Sequence, residues 1–99
     1  EDYPADLACA MCGEGPRPDA ERLETALALA REVAALLPKA ERPGPLAVCA
    51  WLSWALGRSS HADRYAGMAL AFDPGHGLAD IVRSFVRVGH LPDWAFRPR

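Results

Sequence analysis

Residues 46–74, LAVCAWLSWALGRSSHADRYAGMALAFDP, decide how the rest of the chain must fold. The first part, Leu46 to Leu56, is apolar nearly all round, with Val48, Cys49, Trp51, Leu52 and Trp54 distributed over every face. A helix with no polar side belongs at the centre of a packing arrangement, covered on more than one side. Gly57 stops it, because glycine adopts the left-handed conformation that ends helices. Ser60 and Asp63 then form an S-x-x-D capping signature for a second helix. That helix carries a narrow inner stripe of small residues, Ala62, Ala66 and Ala69, with Leu70, and is flanked by Tyr65, Met68 and Phe72. Asp73-Pro74-Gly75 ends it. Small residues at three- and four-residue steps let two helix backbones approach closely, so the stretch reads as a helical hairpin.

Outward from the hairpin, two further helices supply its cover. Upstream, Leu23, Leu27, Ala30, Val33, Ala34 and Leu37 recur at helical spacing, while Arg22, Glu24, Thr25, Arg31 and Glu32 fall mainly on the other side. Asp19 is placed to cap this helix and Pro38 to stop it. Downstream, Leu78, Ile81, Val82, Phe85 and Val88 face inward, and Gly89 is the expected C′ residue. The spacing predicts an all-α chain of four helices, about 19–37, 45–57, 60–72 and 76–88. No alternating run of β-branched residues suggests a strand. Residues 1–18, broken by Pro4, Gly13, Gly15, Pro16 and Pro18, read as an irregular arm, and residues 19–99 as one helical domain ending in a tail that carries Trp94 and Phe96.

The totals exclude several classes. With 99 residues there is room for one modest core. Much of the 51% hydrophobic content is alanine, so area must be buried by Leu, Val, Trp, Phe and Tyr. The net charge of −2 divides into nine acidic and five basic residues over 1–50, against four and six over 51–99. A dedicated nucleic-acid binder is usually clearly basic, and this chain is not. Arg and Asp interrupt every apolar run before it reaches the length of a membrane span. Three cysteines are too few for a disulfide framework. A cytoplasmic location is the expectation.

Two resemblances attach to the hairpin. Counting back from Pro74, Ala69, Ala66 and Ala62 fall where the second helix of a tetratricopeptide-type repeat keeps small or packing residues, and Ala50 falls at the close-contact position of the first. Ala66 stands where that repeat usually has a large aromatic, and Ser53 where it has a tyrosine. The resemblance implies a tetratricopeptide-like array, in which helices before and after the hairpin act as flanking layers. Over residues 25–95 the order Ala50-Trp51, Trp54, Met68-Ala69-Leu70, Asp73-Pro74-Gly75, Leu78-Ala79 and Leu91-Pro92 is similar to the C-terminal region of the actinobacterial domain-of-unknown-function family 4192. His76 stands where a tyrosine is commoner. This second resemblance implies a fold and no activity.

Candidate chemistry is sparse. Cys9-Ala-Met-Cys12-Gly13 has the spacing with which two thiolates hold one face of a tetrahedral zinc ion, but a structural site needs four ligands and no second C-x-x-C follows. The plain alternative is a pair of reduced thiols acting as small hydrophobes. Cys49, in mid-helix, reads as inert packing, since burial opposes the thiolate. His61 lies at a helix start, His76 in a Gly-flanked turn that reads as solvated loop, and His90 after a helix end. No nucleophile, base and orienting acid can be assembled, so no catalytic residue or cofactor site is expected. Function is expected at a surface that meets a partner protein or a second copy. Trp94 and Phe96 are the candidate anchors, because tail aromatics either dock on their own chain or seek a partner. The alternative is a small zinc-binding regulatory protein using Cys9 and Cys12.

Overall fold

In the computed structural model, Gly13 and residues 19–96 are described, without the side chains of residues 95 and 96. The elements are α1 (Ala20–Leu36), α2 (Pro43–Ala55), α3 (Ser59–Phe72) and α4 (Gly77–Arg87), with short 3₁₀ turns at Lys39–Glu41 and Asp93–Phe96. The described residues contain no strand, so the chain is all-α as expected. α2 packs against each of the other three helices, and α3 also packs against α4. Nine of the residues of α2 are buried, which is what its lack of a polar face requires.

Each helix begins and ends for a local reason. The Asp19 carboxylate accepts from the backbone N–H of Glu21 at 2.9 Å and of Arg22 at 3.4 Å, capping α1. α1 stops at Leu37, and the Arg42 Nε donates to the Leu37 carbonyl at 2.8 Å. This bond ties the end of α1 to the start of α2, so α2 begins at Pro43, two residues before the expected start; proline suits that first position because its missing N–H has no intrahelical acceptor anyway. At the far end Gly57 takes φ +80°, with Gly57 N–H bonded to Trp54 O at 2.9 Å and Arg58 N–H to Ser53 O at 2.8 Å. That pair of bonds is the Schellman arrangement, and α4 ends the same way through Gly89, whose φ is +73°.

The expected S-x-x-D cap of α3 does not form. Arg58 leaves the Schellman turn directly into the N-cap position, so Ser60 is already inside the helix and no side chain caps it. Asp63 instead lies 3.7 Å from the Arg83 guanidinium on α4. His76 also departs from its loop reading: it is the N-cap of α4, and its Nδ1 accepts from Ala79 N–H at 3.4 Å.

The core is an alanine seam with aromatic ends. Ala47 and Ala50 on α2, Ala62, Ala66 and Ala69 on α3, and Ala79 on α4 are all fully buried. Alanine adds little area, so the bulk comes from Trp54 and Val82, with Phe85, Tyr65, Leu70 and Trp51 packed around them. A second cluster joins α1 to α2 through Leu27, Cys49 and Leu52. Ile81 and Val88 were expected inside but are 51% and 78% exposed. With only eleven residues, α4 meets its neighbours along Ala79, Val82, Phe85 and Val86, and that stripe leaves Ile81 and Val88 outside.

Candidate functional site

The two tail aromatics had been expected as interface anchors. Trp94 instead docks on its own chain. It is 2% exposed, and its Nε1 donates to the Ala55 carbonyl at 2.7 Å. That carbonyl lies in the last turn of α2, where no helical donor remains to satisfy it. Pro92 beside it is fully buried, and Asp93 N–H donates to Gly13 O at 2.7 Å. The Phe96 side chain lies outside the described residues, as do Cys9 and Cys12. Among the described residues no three His, Cys, Asp or Glu side chains gather as a metal would need.

The tail therefore closes one side of α2. Trp54 stacks at 4.8 Å on Phe85 and 5.5 Å from the His90 ring, and its Nε1 donates to the His90 carbonyl at 2.9 Å. Every polar group of Trp54 is thus engaged.

On the opposite side of α2 the described residues leave a cleft. It lies between α1, α2 and α3 and is made of two adjoining hollows that share Arg31, Tyr65 and Met68. The narrower part, about 270 Å³, is apolar and is lined by Ala34, Leu46, Cys49, Met68 and Phe72, with Arg31 and Arg42 at its edges. The wider part, about 390 Å³, is lined by Leu27, Ser53, Arg58, His61 and Arg64 beside the shared residues. Neither part is lined by an aspartate or glutamate, although residues 19–96 carry nine of them against eight Arg and Lys. Acids and bases are nearly balanced over the helices, yet among the described residues the cleft collects four of the arginines and no carboxylate.

The arginines are held differently. Arg42 is spent on the α1 terminus, as described above. Arg58 pairs with Glu24 at 2.7 Å, an exposed contact that holds the Glu24 carboxyl below its ordinary range, chiefly by the hydrogen bond. Arg31 and Arg64 make no ion pair among the described residues. On the cleft floor the Cys49 thiol is fully buried; burial pushes its pKa up, and the Arg31 charge partly offsets this. Its reading as packing holds, because such a thiol is a poor nucleophile. Ser53 is also fully buried, and its Oγ has no hydrogen-bond partner.

A further apolar feature lies on the outer side of α1, where Leu29, Val33 and Leu36 are exposed at steps of four and three residues. Val33, expected inside, belongs to this stripe because α1 touches the rest of the fold along Leu27 and Ala34. No helix among the described residues is long and apolar enough to cross a membrane.

Sequence reasoning missed the cleft. Arg31, Arg58 and Arg64 are scattered singly along the chain, and only the packing of three helices gathers them. No curated protein and no solved structure matches the chain. Its sequence does match, over residues 5–93 and so nearly throughout, the family described as Domain of unknown function (DUF4192), and the chain belongs to that family.

Proposed function

We propose that the chain is a helical protein-interaction module, without catalysis of its own, whose cleft between α1, α2 and α3 receives an acidic peptide segment bearing apolar side chains. The observation that carries this reading is the mismatch between cleft and whole: an apolar trough edged by arginines and free of carboxylates, on helices of balanced charge. The apolar floor would take Leu- or Phe-type side chains, and Arg31 and Arg64 would meet anionic groups of the same segment. Charge complementarity of this kind steers association and fixes register. The polar groups of the cleft are mainly hydrogen-bond donors, which suits holding an anion and supplies no carboxylate for acid–base work.

Selection from a random peptide display library against the immobilised chain tests the reading. The recovered peptides should interleave Asp or Glu with Leu or Phe, and Arg31→Glu with Arg64→Glu should weaken them by roughly a hundredfold, as expected for two charge-assisted contacts. Peptides that bind the double variant as well as the parent would show that the cleft is not the docking surface.

A further inference from the structure

The wide end of the cleft differs from a merely basic trough in one respect: it has a buried polar group that nothing satisfies. Ser53 sits in the last turns of α2, fully buried, lining this part of the cleft, with no partner for its hydroxyl. An unpaired buried hydroxyl costs a fold about 1–3 kcal/mol, so each one calls for an explanation, a bound water, ion or ligand among them. The same part of the cleft is lined by Arg64 and Arg31, neither in an ion pair among the described residues, and by His61 in the first turn of α3. That turn has no side-chain cap, so its leading N–H groups lack a protein acceptor from a capping side chain. Two uncommitted guanidinium groups, an unsatisfied hydroxyl and an uncapped helix start all favour a compact group with several acceptor oxygens and more than one negative charge.

We propose that this end of the cleft is an oxyanion subsite for a phosphate monoester carried by the docked segment. This rests on the docking reading above for its carrier, but not for its chemistry. A phosphate monoester brings close to two negative charges and three strong acceptors, which matches Arg31, Arg64 and the uncapped turn of α3 better than a single carboxylate does, and the buried Ser53 hydroxyl joins them when the cleft opens around residue 53. Arg58 is the reserve donor: it already holds a carboxylate, that of Glu24, and both groups of this pair are partly exposed and free to rearrange.

The test uses the full chain, isotope-labelled for amide NMR, titrated at fixed ionic strength and pH 7 with inorganic phosphate and, separately, with acetate. Phosphate should shift the amides of residues 53 and 59–65 saturably, while acetate leaves them in place. Arg64→Gln should weaken phosphate binding roughly tenfold, the equivalent of one charge-assisted contact. Ser53→Ala gives a sign that a purely structural serine would not. It should raise the melting temperature of the free chain by roughly 4 °C, because the unsatisfied hydroxyl is gone, and yet reduce the rise that phosphate produces. A phosphoserine peptide of acidic, apolar composition should bind more tightly than both inorganic phosphate and its unphosphorylated twin. Unsaturable shifts, equal shifts with acetate, or phosphate binding indifferent to both variants would overturn the subsite. Free phosphate binding as tightly as the phosphopeptide would overturn the peptide as carrier. If phosphate binds but no peptide is selected, the docking reading and the peptide carrier fall together while the oxyanion chemistry stands; selected peptides without any phosphate effect sink the subsite and leave the docking reading.

Discussion

Ser53 and Trp54 are neighbours on α2, both fully buried, and they face opposite outcomes. Trp54 looks toward α4 and the tail, where its ring lies against Phe85 and His90 and its Nε1 finds the His90 carbonyl. Ser53 looks toward α1 and α3, where its hydroxyl finds nothing. The α4 side of the helix is closed by a tail whose polar atoms land on protein acceptors. On the α1 side a cleft edged with arginine runs beside the Leu27–Cys49–Leu52 cluster. The contrast belongs to α2 itself, since Arg83 Nε on α4 is also buried without a hydrogen bond. The same helix serves both purposes because it is apolar all round.

The comparison breaks most visibly at Trp54. Trp54→Ala removes the largest fully buried side chain and should cost about 3–5 kcal/mol, a large part of the roughly 5–15 kcal/mol that holds a domain of this size. A urea melt should show the midpoint collapse, whereas Ser53→Ala one residue earlier should move it upward. Equal losses at both positions would mean that the two sides of α2 are alike after all.

Gly13→Ala comes next. Gly13 has φ +86°, and an added Cβ would stand 2.7 Å from both Trp54 Cη2 and the Pro92 Cα. Neither neighbour is the far end of a flexible chain, so something rigid must move. Left-handed backbone and overpacking together predict a loss of roughly 2–4 kcal/mol. Urea denaturation reads it, and near-ultraviolet circular dichroism should report the disturbed Trp54 environment. An unchanged midpoint would show that residue 13 contributes nothing to closing this side. Smaller again is Trp94→Phe, which keeps the ring bulk but withdraws the donor from the Ala55 carbonyl, at about 1–2 kcal/mol for a buried acceptor left unpaired. Trp94→Leu as a companion separates lost bonding from lost volume.

How much of this was legible in the sequence follows the same divide. The alanines of the hairpin announce themselves by spacing, so the seam from Ala50 to Ala69 and the four helices could be read directly. Helix ends could be read where one residue decides them, as at Asp19, Gly57 and Gly89. They slipped where the neighbouring turn matters: α2 starts at Pro43, next to the Arg42 that bonds the end of α1, and Ser60 lies inside α3 because the N-cap falls on Arg58. The destination of Trp94 depended on an orphan carbonyl at the end of α2, which no local pattern reveals. The cleft was least legible of all. Arg31 was read as part of a solvated face, and Ser53 only as a departure from a tyrosine position; what joins them is the packing of α1, α2 and α3.

The smallest expected effect asks whether the two sides are electrostatically connected through α2. Cys49 lies on the cleft floor, and burial pushes its thiol pKa up, so the folded chain holds that proton more tightly than the unfolded one does. The sign follows from linkage: this contribution to stability is fully present below the ordinary thiol pKa of about 8.5 and is lost as pH rises through the higher, folded value. Arg31 opposes the shift, so Arg31→Gln should push the thiol further up. Iodoacetamide labelling at pH 9, read by mass spectrometry on the Cys49 peptide so that Cys9 and Cys12 do not interfere, should be slow in the folded chain and slower still in the variant. Trp54→Phe, which alters only the closed side, should leave the pH dependence of that rate unchanged. If instead the Trp54 change moves the Cys49 profile as much as the Arg31 change does, the cleft floor senses the whole helix, and the separation between the two sides of α2 is one of packing and not of electrostatics.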